Sequence, residues 1–385
     1  MSFFELCLDG MQIQQAKIQD KHRKYHLWIY HNEVSQRLSI YSTFNELKRD
    51  YIDGKIEVNT EKIKEIVIYG NPTVPINTQL RGCPVSNCIL HTIKWRSDYA
   101  QMIIITNRKF PNVRYQKNQV WLAYDYEAPP NSRLNKQLGD KINFTATYRH
   151  DSTIHLPYGK LIKIHEVNSK LNNSNSLKLR NISATKKKTV AWIVSNCSPS
   201  SPRNLYAYEL SKYITVDVYG KCNHRKCQYS KCHKMLRKHY KFYLSFENCL
   251  CQDYITEKFF ENALMNNVIP VVMGASIEEY QSVAPPNSFI HVDQFDSPKK
   301  LAEYLHYLDK NHTAFNEYFK WQDKWRVVLF PGRPECDFCL LANVIPFLKP
   351  SWYSDMRSWL TNSCEGRELK WKENQDFSQN NWFFV

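Results

Sequence analysis

The chain has 385 residues, 43% of them hydrophobic, and a formal net charge of +15. That apolar content excludes a disordered chain, and the length allows two domains, each with its own core. The charge favours an anionic partner: nucleic acid, a membrane surface or an anionic small molecule.

Residues 1–60 are polar and weakly periodic, and read as a stem-like or poorly packed region. Within the first thirty, Glu5, Asp9 and the basic cluster at 21–24 interrupt every apolar run. A membrane anchor needs about 20 apolar residues, so neither an anchor nor a signal peptide is expected there. Strands are predicted at 65–69 (EIVIY), closed by Gly70-Asn71-Pro72, at 102–106 (MIIIT) and at 120–123. Apolar runs separated by turns feed a sheet, which gives a first Rossmann-like domain over 61–165. Asn, Ser and Lys then dominate 166–188, a surface stretch that marks the passage between domains.

A second Rossmann-like domain is expected over 189–345. A strand at 190–195 leads to Ser201-Pro202, an N-cap and first-turn proline opening a helix that runs to about Tyr213. A strand at 214–218 completes one βαβ unit. The next unit starts with an apolar run at 241–246 that ends in Glu247 and Asn248. An amphipathic helix with Ile255, Phe259, Ala263 and Leu264 on one face follows, then the β-branched run 268–272, closed by Gly274. His291–Asp293 and a helix over 298–308 finish the domain. The fold class is therefore α/β, two Rossmann-like domains. The tail 346–385 is rich in Trp (Trp352, Trp359, Trp371, Trp382) and suggests no function.

Twelve cysteines need a compartment. Cys222, Cys227 and Cys232 with His224 and His233 have zinc-ligand chemistry, but no paired C-x-x-C spacing frames them. The C-x-x-C at Cys336 and Cys339 lacks the βαβ entry of a redox motif. Five N-x-S/T triplets, at Asn143, Asn172, Asn181, Asn196 and Asn311, point towards a secretory route, and with it to disulfides. The densest basic stretch, 224–241, reads better as a solvated helix face than as a nucleic-acid module, because it has no module spacing.

The segment 243–274 carries the most chemistry. Glu257 and Lys258 sit in the first turn of its helix, beside backbone N–H groups without intrahelical partners, a natural seat for phosphate. The same segment closely resembles the donor-binding signature of the α1,3/α1,4-fucosyltransferases, the family 10 glycosyltransferases that use GDP-fucose. The resemblance continues in order through 120–130 (VWLAYDYEAPP), 144–152 (FTATYRHDS), 157–159, 194–204 (VSNCSPSSPRN), 216–220 and 288–309, and covers roughly residues 62–345.

The resemblance implies a GT-B fold, two Rossmann-like domains facing a central cleft. It implies inverting transfer of fucose from GDP-fucose to a GlcNAc hydroxyl in α1,3 linkage, on an N-glycan core or a LacNAc or LacdiNAc antenna. It also implies a Golgi lumen location, with membrane association only through an anchor not seen in this chain. Glu127 matches the catalytic base, on a loop stiffened by Pro129 and Pro130. Arg203 and Lys258 match the cations that meet the diphosphate, and Glu257 a group that holds the sugar hydroxyls. Tyr158, Ser195, Asn196, Tyr243, Asn248 and Tyr254 match further donor-binding positions. A glycan on Asn196 would fill the pocket, so that triplet is expected to stay unmodified. Arg149 and Asp151 read as a polar scaffold. No cofactor is implied, and no two aspartates stand two apart as a metal-binding pair would. Cys336–Cys339 is the implied disulfide, with Cys83–Cys88, and Cys222 with Cys227 or Cys232, as weaker candidates. Ala128, Cys249 and Cys251 depart from the pattern. The rival readings are a catalytically silent glycan-binding relative and a basic nucleic-acid-binding protein.

Overall fold

The computed structural model describes residues 13–20, 23–30 and 41–371, except 71–73, 75, 77–79, 93, 107–109, 133, 135–137, 165–181, 224, 331 and 350. Two strands, β1 (Ile13–Asp20) and β2 (Arg23–Tyr30), pair antiparallel, and β3 (Ile56–Glu57) joins β1. Between β2 and β3, helix Phe44–Ile52 opens on a capping box made by Thr43 and Glu46 and sinks Phe44 and Leu47 into the first core. Within the region read as stem-like or poorly packed, Phe44, Leu47 and Ile56 are buried in a core. Two buried positions on one short helix are too few to show a period in sequence.

The first sheet contains β4 (Lys64–Tyr69), β5 (Cys88–His91), β6 (Met102–Ile105), β7 (Val120–Asp125), β8 (Phe144–Thr147) and β9 (Ile154–His155). All pairings are parallel, in the order β5-β4-β6-β7-β8-β9. Ile66, Ile104 and Leu122 fill one face, and Val67, Ile103 and Trp121 the other. Burial on both faces explains why these strands read as continuous apolar runs.

After β10 (Gly159–Lys163) the chain enters the second sheet. This comprises β11 (Lys188–Ile193), β12 (Val216–Tyr219), β13 (Tyr240–Phe246), β14 (Ile269–Met273) and β15 (Ile290–His291), parallel in the order β12-β11-β13-β14-β15. β16 (Trp325–Leu329) then pairs antiparallel with β10 and forms a ribbon on the way back. Gly159 is needed in that ribbon for close approach, since a Cβ there would lie 2.3 Å from the Phe260 ring. The two parallel sheets have the GT-B architecture. Of the expected linker 166–188, residues 166–181 lie outside the described residues; Ile182–Thr185 is a short helix, and β11 begins at Lys188.

The chain's return divides the domains differently from the sequence reading. Helix Pro334–Val344, assigned to 189–345, packs its Phe338 and Leu341 on the first sheet instead. Of the tail, Leu348, Met356 and Leu360 complete the first domain's cores and Leu369 and Trp371 pack into the second, while Trp382 lies outside the described residues. Residues 334–371 thus form a strap from one domain to the other.

Disulfides fasten this strap. Cys336 bonds Cys83 and Cys339 bonds Cys88, so the implied Cys336–Cys339 and Cys83–Cys88 pairs are not formed. Cysteines three apart on one helix face the same neighbour, and each takes its partner from there. Cys251 bonds Cys364. Cys197 bonds Cys222 and Cys227 bonds Cys232, which occupies the set with zinc-like chemistry and separates Cys222 from its two implied partners. Cys249 is the free cysteine among the described residues. Among those residues no helix is long and apolar enough to cross a membrane.

Candidate active site

In a parallel sheet of this order, β11 and β13 are neighbours whose connections leave in opposite directions, and ligands bind at the carboxyl ends of such strands. Asn196 follows β11, and Glu247 and Asn248 follow β13. Arg203 ties the two ends together. Its Nη1 donates to the Phe246 carbonyl at 3.1 Å and its Nη2 to the Asn196 carbonyl at 2.7 Å. The guanidinium is buried, which lowers its pKa despite the nearby charge of Glu247. Among the described residues, buried Arg203 Nε and Asn248 Oδ1 find no hydrogen-bond partner. Each such orphan costs about 1–3 kcal/mol, which a polar ligand at the strand ends would recover.

The helix behind Arg203 starts differently from its sequence reading. Pro202 is the N-cap, and Ser201 Oγ donates to the Glu247 carbonyl at 2.7 Å instead of capping. The sequence favours Ser201 because local capping chemistry is visible there. The competing carbonyl lies 46 residues away.

The amphipathic helix expected after Asn248 is a π-helical turn, Lys258–Ala263, followed by a 3-10 turn, Leu264–Asn266. Such turns recur at functional sites. Before it, the Thr256 amide is drawn to Glu247 Oε1 at 2.9 Å. Lys258 Nζ lies 2.9 Å from Glu247 Oε2, 3.1 Å from Glu257 Oε1 and 2.8 Å from Thr256 Oγ1. Burial alone would lower the Lys258 pKa, but the two carboxylates outweigh it and hold the ammonium charged. Burial pushes Glu247 up, and Lys258 draws it only part of the way back. Glu257 stays below the usual carboxylate range because Lys258 offsets its burial.

The first domain brings Glu127 to this place. Asp125, at the end of β7, accepts the Glu127 amide at 2.9 Å, an Asx turn that bends the chain. Ala128 is buried and Pro129–Asn131 forms a 3-10 turn, which leaves the Glu127 side chain exposed. From the second domain, the Tyr254 hydroxyl lies 3.5 Å from Glu127 Oε2. Tyr158 donates to the Tyr126 carbonyl at 2.7 Å, and its ring meets Tyr254 edge-on. Cys249 shares a buried cluster with Ala128 of the first domain and Tyr254 of the second, and burial and then the charge of Glu247 raise its pKa.

Arg149 grips Asp151 through Nε and Nη2 at 2.8 and 2.6 Å and stacks on Trp359 in the strap. Next to it, His150 Nδ1 lies 2.8 Å from Asp253 Oδ1, a charge pair across the two domains. The hydrogen bond to Asp253 raises the His150 pKa above 6.5. Asp253 is lowered from 3.8, because bonds from His150 outweigh its burial. The histidine contribution is complete below 6.5 and is lost as pH rises through its raised folded value. The aspartate contribution is complete above 3.8 and is lost as pH falls through its depressed one. Thermal scans of wild type and His150→Ala are therefore expected to differ most between 3.8 and 6.5 and to converge as pH rises through the raised folded value of His150. A difference that does not vary with pH would remove the pair as a cross-link.

The structure brings together Glu127, Tyr158, Asn196, Arg203, Asn248, Tyr254, Glu257 and Lys258. Ser195 is exposed on the loop after β11. Tyr243 does not reach open space: it is fully buried in β13, and its hydroxyl accepts from Asn262 Nδ2 at 3.1 Å. Sequence reasoning missed Glu247, Thr256 and Asp253. The one available signal was Glu247 itself, an acid directly following the run that ends in Phe246.

Two family models match the chain. Glycosyltransferase family 10 (fucosyltransferase) C-term spans residues 183–359, and Fucosyltransferase, N-terminal, spans 61–159. Glycoprotein 3-alpha-L-fucosyltransferase A of Drosophila melanogaster is 42% identical over 316 residues, 77% of this chain and 60% of that protein. An alpha-(1,3)-fucosyltransferase of Caenorhabditis elegans is 35% identical over 287 residues, 71% of this chain and 65% of that protein. A solved α1,3-fucosyltransferase with GDP-fucose aligns at a TM-score of 0.49 and 16% identity, covering 76% of this chain and 93% of that one. The chain thus spans about three fifths of the length of the curated relatives it matches. Two adjoining family models, together covering most of the chain, agree with the paired parallel sheets and the site between them: the chain belongs to glycosyltransferase family 10, the fucosyltransferases.

Proposed function

We propose that this chain transfers L-fucose from GDP-fucose to a GlcNAc hydroxyl of a glycan, in α1,3 linkage and with inversion. One observation carries the reading: an exposed carboxylate of the first domain, Glu127, stands beside Tyr254 on the donor side of the second. The diphosphate would lie at the β11/β13 strand ends, where Arg203 Nε awaits an acceptor and Lys258 supplies charge. Glu257 would accept hydrogen bonds from the fucose hydroxyls. Glu127 would take the proton of the acceptor hydroxyl as that oxygen forms its bond to C1 of fucose. The C1–O bond to GDP breaks on the opposite face, so one displacement inverts the anomeric centre.

Cationic side chains and backbone N–H groups supply the charge that a metal ion would otherwise bring, so the reaction is proposed to be metal-independent. The names of the Drosophila and Caenorhabditis relatives support the linkage. Five disulfides suit an oxidising compartment, and the Golgi lumen is the proposed site of action.

The test is incubation of purified protein with GDP-fucose and a panel of core, LacNAc and LacdiNAc glycans, with and without exhaustive EDTA treatment. Mass spectrometry and linkage analysis are expected to show an α1,3-fucosylated GlcNAc in both arms. Donor binding without transfer to any acceptor would favour the silent glycan-binding reading. Loss of activity in EDTA, restored by manganese, would overturn metal independence.

A further inference from the structure

We infer that Glu247 is a positioning residue for the donor site, holding the Lys258 ammonium in place directly and through Thr256; this rests on Lys258 being the cation that meets the diphosphate. Glu247 directly continues β13, and its side chain is 0% exposed. Its two oxygens serve two neighbours. Oε1 accepts from the Thr256 amide and hydroxyl, both at 2.9 Å, and Oε2 lies 2.9 Å from Lys258 Nζ. The backbone is pinned as well: its amide donates to the Met273 carbonyl at 2.8 Å, and its carbonyl accepts from Ser201 Oγ at 2.7 Å.

The bond count at Lys258 separates the roles of the two acids. An ammonium has three N–H donors, and these are taken by Glu247, Thr256 and Glu257. The Glu257 side chain is 39% exposed and that of Glu247 is sealed. An arriving diphosphate can therefore displace Glu257, which turns towards solvent or the sugar. Glu247 and Thr256 keep their hold and set where the ammonium points. A lysine held by two fixed acceptors presents its remaining donor in one direction, and a free four-carbon chain would not.

Gly274 makes the buried carboxylate possible. Its φ is +156°, and a Cβ there would lie 2.8 Å from Glu247 Cγ and 2.9 Å from Glu247 Cβ. The glycine that closes β14 leaves room for the stem of an acid at the end of β13. Both strand ends serve one side chain.

A double-mutant cycle with Lys258 tests this, read by calorimetric GDP affinity, steady-state kinetics and thermal midpoint. Glu247→Gln keeps the shape but replaces an acceptor of the ammonium, and is expected to weaken GDP binding about tenfold or more, with a similar fall in kcat/KM. In a Lys258→Met background the same substitution is expected to change GDP affinity by less than about twofold, because its target is gone. Glu247→Asp should recover part of the loss. Should Glu247→Gln fail to fold, Thr256→Val removes the bridging hydroxyl from a smaller site and is expected to show the same dependence on Lys258. Equal losses with and without Lys258, or native GDP affinity in both Glu247→Gln and Thr256→Val, would overturn the inference. Native GDP affinity in Lys258→Met alone would instead bring down the donor-site reading of Lys258, and this role of Glu247 with it.

Discussion

Glu127→Gln is expected to bind GDP as the native protein does and to lose about 10²–10⁴-fold in turnover. The loop that carries Glu127 is shaped by its neighbours. Asp125 holds the Glu127 amide, Ser132 bonds the other Asp125 oxygen at 2.5 Å, and Ala128 packs in the interior. Replacing the exposed carboxylate with an amide disturbs none of these contacts, so fold and nucleotide binding should survive. What disappears is the proton acceptor. Calorimetry with GDP and initial rates at saturating donor separate the two effects. A Gln variant with native turnover would remove Glu127 from the chemistry and move the search for a base to another first-domain loop.

Losing the two disulfides that end on helix Pro334–Val344 is expected to be the most destabilising change in the first domain, with strongly non-additive costs. Cys83–Cys336 and Cys88–Cys339 close loops of 253 and 251 residues, yet their ends lie only five and three residues apart. With one bridge intact, the other closes only a short additional loop. Removing either alone should cost about 2–3 kcal/mol on the chain-entropy model, whereas removing the second should cost about 5 kcal/mol more. Total stability is of order 5–15 kcal/mol, so the double loss approaches the whole margin. Thermal scans of Cys336→Ala, Cys339→Ala and the double variant would show this. Equal, additive shifts would mean that helix Pro334–Val344 is held by packing alone, through residues such as Phe338 and Leu341.

Much of the site was readable because its residues stand in short segments. Glu257 and Lys258 are adjacent, Asn196 and Arg203 are 7 residues apart, and Glu127 follows a clear strand. Their roles came from resemblance to a family pattern, since a lone Glu after a strand has many uses. The unread parts depend on contacts across long separations. Tyr243 sits in a motif and yet is buried, because β13 is covered on both faces and the Asn262 amide takes its hydroxyl. Arg203 stands first in its helix, but its guanidinium turns back to the Phe246 carbonyl of β13 and the Asn196 carbonyl beyond the end of β11.

By itself the sequence determined the α/β class, the main parallel strands of both sheets and the family. Apolar runs between turns, and the spacing of a few polar residues, are local properties of a chain. Only the tertiary structure decided which cysteines pair, where the chain returns to the first domain, and that Glu247 holds Lys258. Those outcomes depend on which distant surfaces meet, and a side chain's partner is chosen by proximity in space after the sheets have packed.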